Sequence, residues 1–367
     1  MTSSSPSTAP TIRYRTILAL GEERKATRCL RRRDGDEQLR VAAVQAAPVL
    51  MDRGATIDRV AALTRTAAND GAELVVFPEA FVPGPPVWID TARIWDGDDA
   101  WYAMLADQAV VVPSPSTDSL GGIAREAGVW LVVGINERQG GTIYNTLLYF
   151  APDGMLVEKH RKLMPTGSER TVWGMGHGST LRTIATPFGR LGGLICLENY
   201  VPLARFHLYA QGVDVWVAPT LAPGDAWVAT MRHLAREGRM FVIGVNPCMH
   251  ADQIPPSIPR PDALYPAADR QREDCWLLPG NTVIVDPTAT VLAGPLEREE
   301  RIVTAELDLD LVPAARPSRT TLLRSGRALQ PPGCLLPGGR HASAPRRRGA
   351  GAPVCRRPRP GTRASRR

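Results

Sequence analysis

The sequence predicts an α/β protein built on mixed sheets covered by helices, and three observations carry that expectation. Apolar runs of strand length recur through the middle of the chain, helical periodicities separate several of them, and hairpin-like pairs joined by turn residues interrupt the pattern. Helices between strands place those strands parallel and bury them under the helices, while hairpins add antiparallel neighbours, so the sheets are expected to be mixed.

Residues 41–47 read as the first strand. In 57–70 the positions Ile57, Val60, Ala61, Leu63, Thr64 and Ala67 recur near a 3.6-residue period and predict a helix, which Gly71 stops. A second, buried strand follows at 73–77, and a helix fragment at 121–127 leads into a strand at 129–135. The strand at 143–150 turns through Pro152, Asp153 and Gly154 into 156–159 as a hairpin. Further strands are expected at 191–196, 213–218, 240–246, 282–286 and 302–307, with helices at 203–211 and 227–237. No G-x-G-x-x-G or G-x-x-x-x-G-K-[ST] follows the early strands, which removes dinucleotide and P-loop readings. No apolar run is long enough to span a bilayer, so no membrane partner is expected.

The formal charge of +7 and pI near 9.3 first suggest a nucleic-acid or membrane-surface binder, but the charge is unevenly placed. Residues 311–367 hold 14 Arg and no acidic residue, whereas 40–310 hold 22 basic against 32 acidic residues. The body is acidic, and no nucleic-acid partner is expected for it. The chain divides into an N-terminal extension at 1–39, disordered or mis-assigned, a body at 40–311, and an Arg/Pro/Gly-rich tail at 312–367 with no hydrophobic period and no means of building a core. Cys29, Cys196, Cys248, Cys275, Cys334 and Cys355 form no C-x-x-C pair and no Cys/His cluster. That argues against a zinc site or disulfide framework and for a reduced, cytoplasmic protein.

Three strand ends carry reactive residue types. Glu79 follows 75–77 and a proline, where burial would raise a carboxylate toward a general base's range. His160, Arg161 and Lys162 follow the hairpin, with Glu169 a few residues on. One ammonium turned inward could stabilise a developing anion, though spacing does not say which. Cys196 ends an apolar strand loosened by Gly192 and Gly193, as a thiol nucleophile would. Each has an ordinary alternative taken singly: a cap, a solvated face, an inert buried thiol. Together, a base, a cation and a thiol at successive strand ends make an acyl-transfer set without histidine.

The stretches VAAVQAAPVL (41–50), ELVVFPEAFVPGPP (73–86), KHRKLMPTGSERTVWG (159–174) and TPFGRLGGLICLENYVPLARFHLYAQGVDVWVAPT (186–220), continued by DAWVATMRHLAREGRMFVIGVN (225–246), resemble the nitrilase branch of the carbon-nitrogen hydrolase superfamily. The resemblance covers about residues 40–310. It implies an αββα sandwich, a triad of Glu79, Lys162 and Cys196, and Glu169 as a second glutamate orienting Lys162 and water. It implies hydrolysis of a small organic nitrile to the carboxylic acid and ammonia through a cysteine thioimidate and acyl thioester. No metal or organic cofactor is implied, and a homo-oligomer is. An amidase or carbamoyl hydrolase shares the triad and is the alternative chemistry.

Some positions depart from the resemblance. Leu197 follows the nucleophile where nitrilases commonly carry Trp, Gly167 and Ser168 replace a usual Tyr-His before Glu169, and His177 stands where Asp is usual. These bear on substrate fit. Trp88, Trp173 and Trp227 stay open between pocket lining and core packing. The tail lacks the family's His-Tyr-x-Arg-Pro-Asp-Val-Phe-like segment, yet residues 328–339 have a codon choice that, read one base later, encodes such a segment. A frameshift between about Val312 and Ala328 is therefore expected, and an intact reading frame on resequencing would remove it.

Overall fold

The computed structural model describes residues 38–89, 91, 99–266 and 268–316. Residues 1–37 of the expected N-terminal extension and 317–367 of the expected tail, with most of the frameshift window, lie outside the described residues.

Two sheets form the middle of the molecule. The first has six strands in the order β13-β1-β2-β3-β4-β5, where β1 is Gln38–Gln45, β2 Leu74–Val76, β3 Trp130–Gln139, β4 Thr142–Phe150, β5 Leu156–Arg161 and β13 Arg301–Asp308. Strands β1, β2 and β3 are parallel; β4, β5 and β13 join antiparallel. The second has seven strands, with the path β10-β11-β9-β8-β7-β6 and β12 paired to β11. Its members are β6 Ile184–Thr186, β7 Gly189–Gly193, β8 Val215–Pro219, β9 Phe241–Val245, β10 Cys248–His250, β11 Trp276–Val285 and β12 Val291–Glu297. Again the central three, β7, β8 and β9, are parallel. Both sheets are mixed, as the hairpin signals predicted.

Strand alternation explains the layering. In β1, Leu39, Val41 and Ala43 enter one buried cluster with Val215, Val217, Phe241 and Ile243 of the second sheet. The intervening Ala42 and Val44 enter another cluster with Val60, Ala67, Leu120 and Ala124 from α1 (Arg53–Asn69) and α3 (Pro115–Ala127). On the far side, Trp216, Ala218 and Val242 meet Leu208 of α4 (Pro202–Ala210) and Trp227, Met231 and Leu234 of α5 (Asp225–Gly238). The result is helix, sheet, sheet, helix. A one-residue slip in a strand would turn its apolar set to the wrong layer, and burying a Val or Leu side chain is worth roughly 1.5–3 kcal/mol, so the register is firmly held.

Helix α2 (Asp99–Gln108) was not anticipated; only Trp101 and Leu105 are buried in it, too few for a periodic signal. Strands β6, β10 and β12 were missed as well, being three residues long or largely exposed. Past residue 311 the chain forms a short helix over Leu311–Ala315 that buries Val312, and Arg316 pairs with Asp214. The folded body thus extends a few residues into the segment expected as tail. Among the described residues no helix is long and apolar enough to cross a membrane.

Candidate active site

Strand β2 ends one residue before Phe77, whose N–H still bonds Val132 of β3. Pro78 then releases the chain over β3, and Ala80 takes a positive φ of 49°. The passage is so close that a Cβ on Gly134 would stand 2.2 Å from the Pro78 carbonyl oxygen, so β3 needs glycine there. This delivers Glu79 into the interior, fully buried. Its Oε1 accepts from Lys162 Nζ at 2.7 Å and Asn145 Nδ2 at 2.6 Å, while Oε2 has no hydrogen-bond partner.

Lys162 lies one residue beyond β5, and its N–H bonds the Asn145 carbonyl at 2.8 Å, extending the β4–β5 pairing to the site. Its ammonium donates to Glu79 Oε1 and to Glu169 Oε2, each at 2.7 Å, and stands 5.5 Å from the Trp173 ring centroid. Glu169 is placed by the 3-10 turn Gly167–Thr171, where its Oε2 also accepts the Thr166 N–H at 2.6 Å. Trp173 donates its indole N–H to Asn136 at 2.8 Å.

Cys196 follows β7, which approaches β8 so tightly that a Cβ on Gly193 would lie 1.9 Å from the Val217 carbonyl oxygen. Cys196 itself has φ of 51° and opens the 3-10 turn Cys196–Tyr200. A non-glycine residue in left-handed backbone costs of order 1–3 kcal/mol, a strain that recurs where a nucleophile must be presented. The Thr220 side chain and the Leu221 backbone lie against its thiol and favour the thiolate. One ligand atom each from Glu79, Glu169 and Cys196 falls within 4.8 Å of the others. Such a set could in principle hold a metal ion, but the Lys162 ammonium already bonds both carboxylates and supplies the positive charge between them.

Burial pushes the Cys196 thiol up to about 12, reinforced by the Glu79 charge and opposed by Lys162, Thr220 and Leu221. Burial also raises Glu79 above the ordinary carboxylate value; Lys162 opposes this, and Glu169 adds to it because two carboxylates share one ammonium. Burial works against the charged Lys162, yet Glu79, Cys196 and Glu169 together hold its pKa above the usual lysine value. The resting site therefore contains a protonated thiol, a firm cation, and a carboxylate with a raised proton affinity and one open oxygen. Such an arrangement can support base-assisted attack by sulfur.

The four residues singled out in the sequence converge in one buried cluster. Among the basic run, strand alternation turns Lys162 inward and sends Arg161 to the opposite face against Glu137. Asn145 and Thr220 were missed. An Asn inside a buried strand run was the available signal, since a buried amide must find partners. Of the tryptophans, Trp173 borders the site; Trp88 packs on Trp101 with centroids 5.6 Å apart, and Trp227 lies in the outer core under α5. Leu197 packs half-buried against the inter-sheet core, and His177 caps a surface turn through its Nδ1.

Residues 40–317 match the carbon-nitrogen hydrolase family. An aliphatic nitrilase of Sinorhizobium fredii (strain HH103) is 45% identical over 284 residues, spanning 76% of this chain and 89% of that protein. A bifunctional nitrilase/nitrile hydratase of Nicotiana tabacum is 38% identical over 287 residues, spanning 76% and 80%. Among solved structures, Saccharomyces cerevisiae Nit3, a member of branch 10 of the nitrilase superfamily, superposes with a TM-score of 0.59 at 23% identity over 77% of this chain and 94% of that one. That likeness carries the sandwich fold, and the family match extends over most of the sequence: this chain belongs to the carbon-nitrogen hydrolase family.

Proposed function

We propose that this protein is a nitrilase that converts a small organic nitrile to its carboxylic acid and ammonia. The observation that carries the chemistry is Glu79 Oε2, which has no hydrogen-bond partner in the protein, in a buried site with the Cys196 thiol and the Lys162 ammonium. The choice of a nitrile over an amide is supported by the similarity to proteins named nitrilases.

In this reading Glu79 Oε2 takes the thiol proton as Cys196 Sγ attacks the nitrile carbon. The triple bond becomes the C=N of a thioimidate, and Lys162 stabilises the charge that gathers on nitrogen. Glu79 returns its proton to that nitrogen and then activates a water that adds to the carbon. Ammonia leaves, giving an acyl thioester. A second water, activated in the same way, releases the acid and restores the thiol. Glu169 keeps the ammonium aimed by holding it through a second hydrogen bond beside the one to Glu79. The reaction consumes two waters per nitrile and needs no redox partner.

The same reading makes the protein a cytoplasmic homo-oligomer. Exposed Tyr200, Val201 and Leu203 beside the nucleophile turn support self-association. The test is release of ammonia and carboxylate from aliphatic, arylaliphatic and aromatic nitriles, aliphatic first, beside a matched amide panel, with Cys196→Ala in parallel. Turnover of nitriles that vanishes in the variant is the expected result. Turnover of amides alone would replace the nitrilase reading with an amidase one, and nitrile turnover by Cys196→Ala would remove the thiol mechanism.

A further inference from the structure

The cation and the nucleophile come from different sheets. Lys162 extends β5, the edge strand of the first sheet, and Cys196 follows β7 of the second. No strand pairing joins β5 to β7 among the described residues. Something else must set how far the ammonium stands from the sulfur.

Glu198, in the turn that Cys196 opens, is placed to do so. Its side chain is fully buried and reaches back across the sheet boundary. Oε2 accepts from the N–H of Ile195, the residue before the nucleophile, at 2.8 Å. Oε1 accepts from the N–H of Leu163, the residue after the lysine, at 2.6 Å. His160, two residues before Lys162, adds its Nε2 at 3.0 Å to Oε2 and is steadied by Thr180 Oγ1 at 3.0 Å from Nδ1. Three donors thus converge on one carboxylate. Only an acceptor-only group with lone pairs on both oxygens meets that demand; an amide in its place would turn an NH₂ toward a backbone N–H.

We infer that Glu198, held by His160, is a positioning residue that fixes the separation of Lys162 from Cys196 by gripping the backbone next to each. The inference rests on the reading in which those two residues act together. A group that merely stabilised the fold would alter melting and leave the chemistry of the folded protein untouched. A positioning residue acts on the sulfur itself, because Lys162 helps to hold the thiolate, and small misplacements of reacting groups cost about 10²-fold in rate.

The experiment uses the full-length protein with Glu198→Gln, His160→Ala and His160→Gln. It measures nitrile kinetics, thermal melting, and the pH dependence of Cys196 alkylation by iodoacetamide, followed on the Cys196 peptide by mass spectrometry. Glu198→Gln is expected to lower kcat by about 10²-fold with KM within about threefold, and to slow Cys196 alkylation at each pH where the protein stays folded, as Lys162 loses its hold on the sulfur. His160→Ala is expected to move both readouts the same way by less, and His160→Gln, whose amide still donates, to restore most of the loss. A folded Glu198→Gln protein with unchanged kcat and alkylation profile overturns the inference. If that variant does not fold, a His160→Ala protein indistinguishable from the parent overturns it instead. Should the parent release no ammonia from nitriles, the nitrilase reading fails while the alkylation profiles still decide the role of Glu198.

Discussion

Two buried carboxylates meet opposite faces of β4, Glu79 through Asn145 and Glu137 through Thr146, and behave in opposite ways. Glu137 of β3 accepts Lys159 at 2.6 Å, Arg161 through two nitrogens at 2.7 and 2.8 Å, and Thr146 at 2.9 Å, so both of its oxygens are saturated. Burial pushes its carboxyl up, but the Arg161 and Lys159 hydrogen bonds and charges outweigh it and hold the group below the ordinary value. Glu79 has one ammonium shared with Glu169 and one amide, leaving Oε2 empty, and its carboxyl rises. The difference teaches what, in the proposed reaction, would separate a base such as Glu79 from a structural carboxylate such as Glu137. Both are buried and both touch cations; only the first is left short of donors, with an oxygen free to take a proton.

The largest effect expected from this comparison is at Glu79. Glu79→Gln keeps an oxygen for Lys162 and Asn145 and converts only the open oxygen to NH₂. Nitrile turnover should fall by at least about 10³-fold, the order general-base removal costs. The change also takes a countercharge from the fully buried Lys162 ammonium, which keeps Glu169, so two effects on melting oppose each other. A raised carboxyl subtracts stability as pH climbs from the unfolded value of 4.5 through the folded one, which the variant is spared, while the weakened ion pair costs stability. A folded Glu79→Gln protein that turns nitriles over at the parent's rate would erase the distinction between the two glutamates.

Glu137→Gln is the reciprocal change. It leaves Arg161 and Lys159, both of which reach solvent, beside a neutral group at a cost of about 1–3 kcal/mol, while kcat/KM measured on folded protein should stay within about twofold. The pH dependence has a definite sign. A carboxyl held below 4.5 in the folded state contributes stability that is full above that pH and fades as pH falls through the folded value. Denaturation curves of parent and variant should therefore converge as the solution is acidified below about 4.5. Curves that stay equally far apart would show that Glu137 acts by shape rather than charge.

The layers and the reactive strand ends were legible because strand alternation and helical period mark buried faces directly: Val41, Ala43, Val215 and Val217 fall where the pattern puts them. Glu79, Lys162 and Cys196 were legible as strand-terminal groups, and their resemblance to a known set brought them together. The roles of neighbours on one strand were harder to read. The run His160, Arg161, Lys162 looks like a uniform basic face in sequence, yet the two-residue period divides it between Glu198, Glu137 and Glu79. Which face is which depends on partners that are 24 to 83 residues away, and that information is absent from local spacing. The peripheral strands β10 and β12 failed for a different reason: β10 is only three residues long and β12 is largely exposed, and each is held by pairing with β11.

The smallest and sharpest test uses two adjacent residues of β4, Asn145 and Thr146, which the strand period aims at Glu79 and Glu137 respectively. Asn145→Leu removes the amide donor that opposes the rise of Glu79 and puts apolar atoms beside it. The carboxyl should rise further, so the acid limb of the kcat/KM profile should move to higher pH, because the base must be ionised to accept the thiol proton. Losing one hydrogen bond to a charged group, about 1.5 kcal/mol, corresponds to roughly tenfold in rate. Thr146→Val removes one of four bonds to a carboxylate that takes no part in the reaction. It should cost about 1 kcal/mol of stability and leave the acid limb where it was. If both variants shift the limb, the two carboxylates communicate through β4 and the division of labour between its faces fails; if neither does, Glu79 is not the group whose ionisation the profile reports.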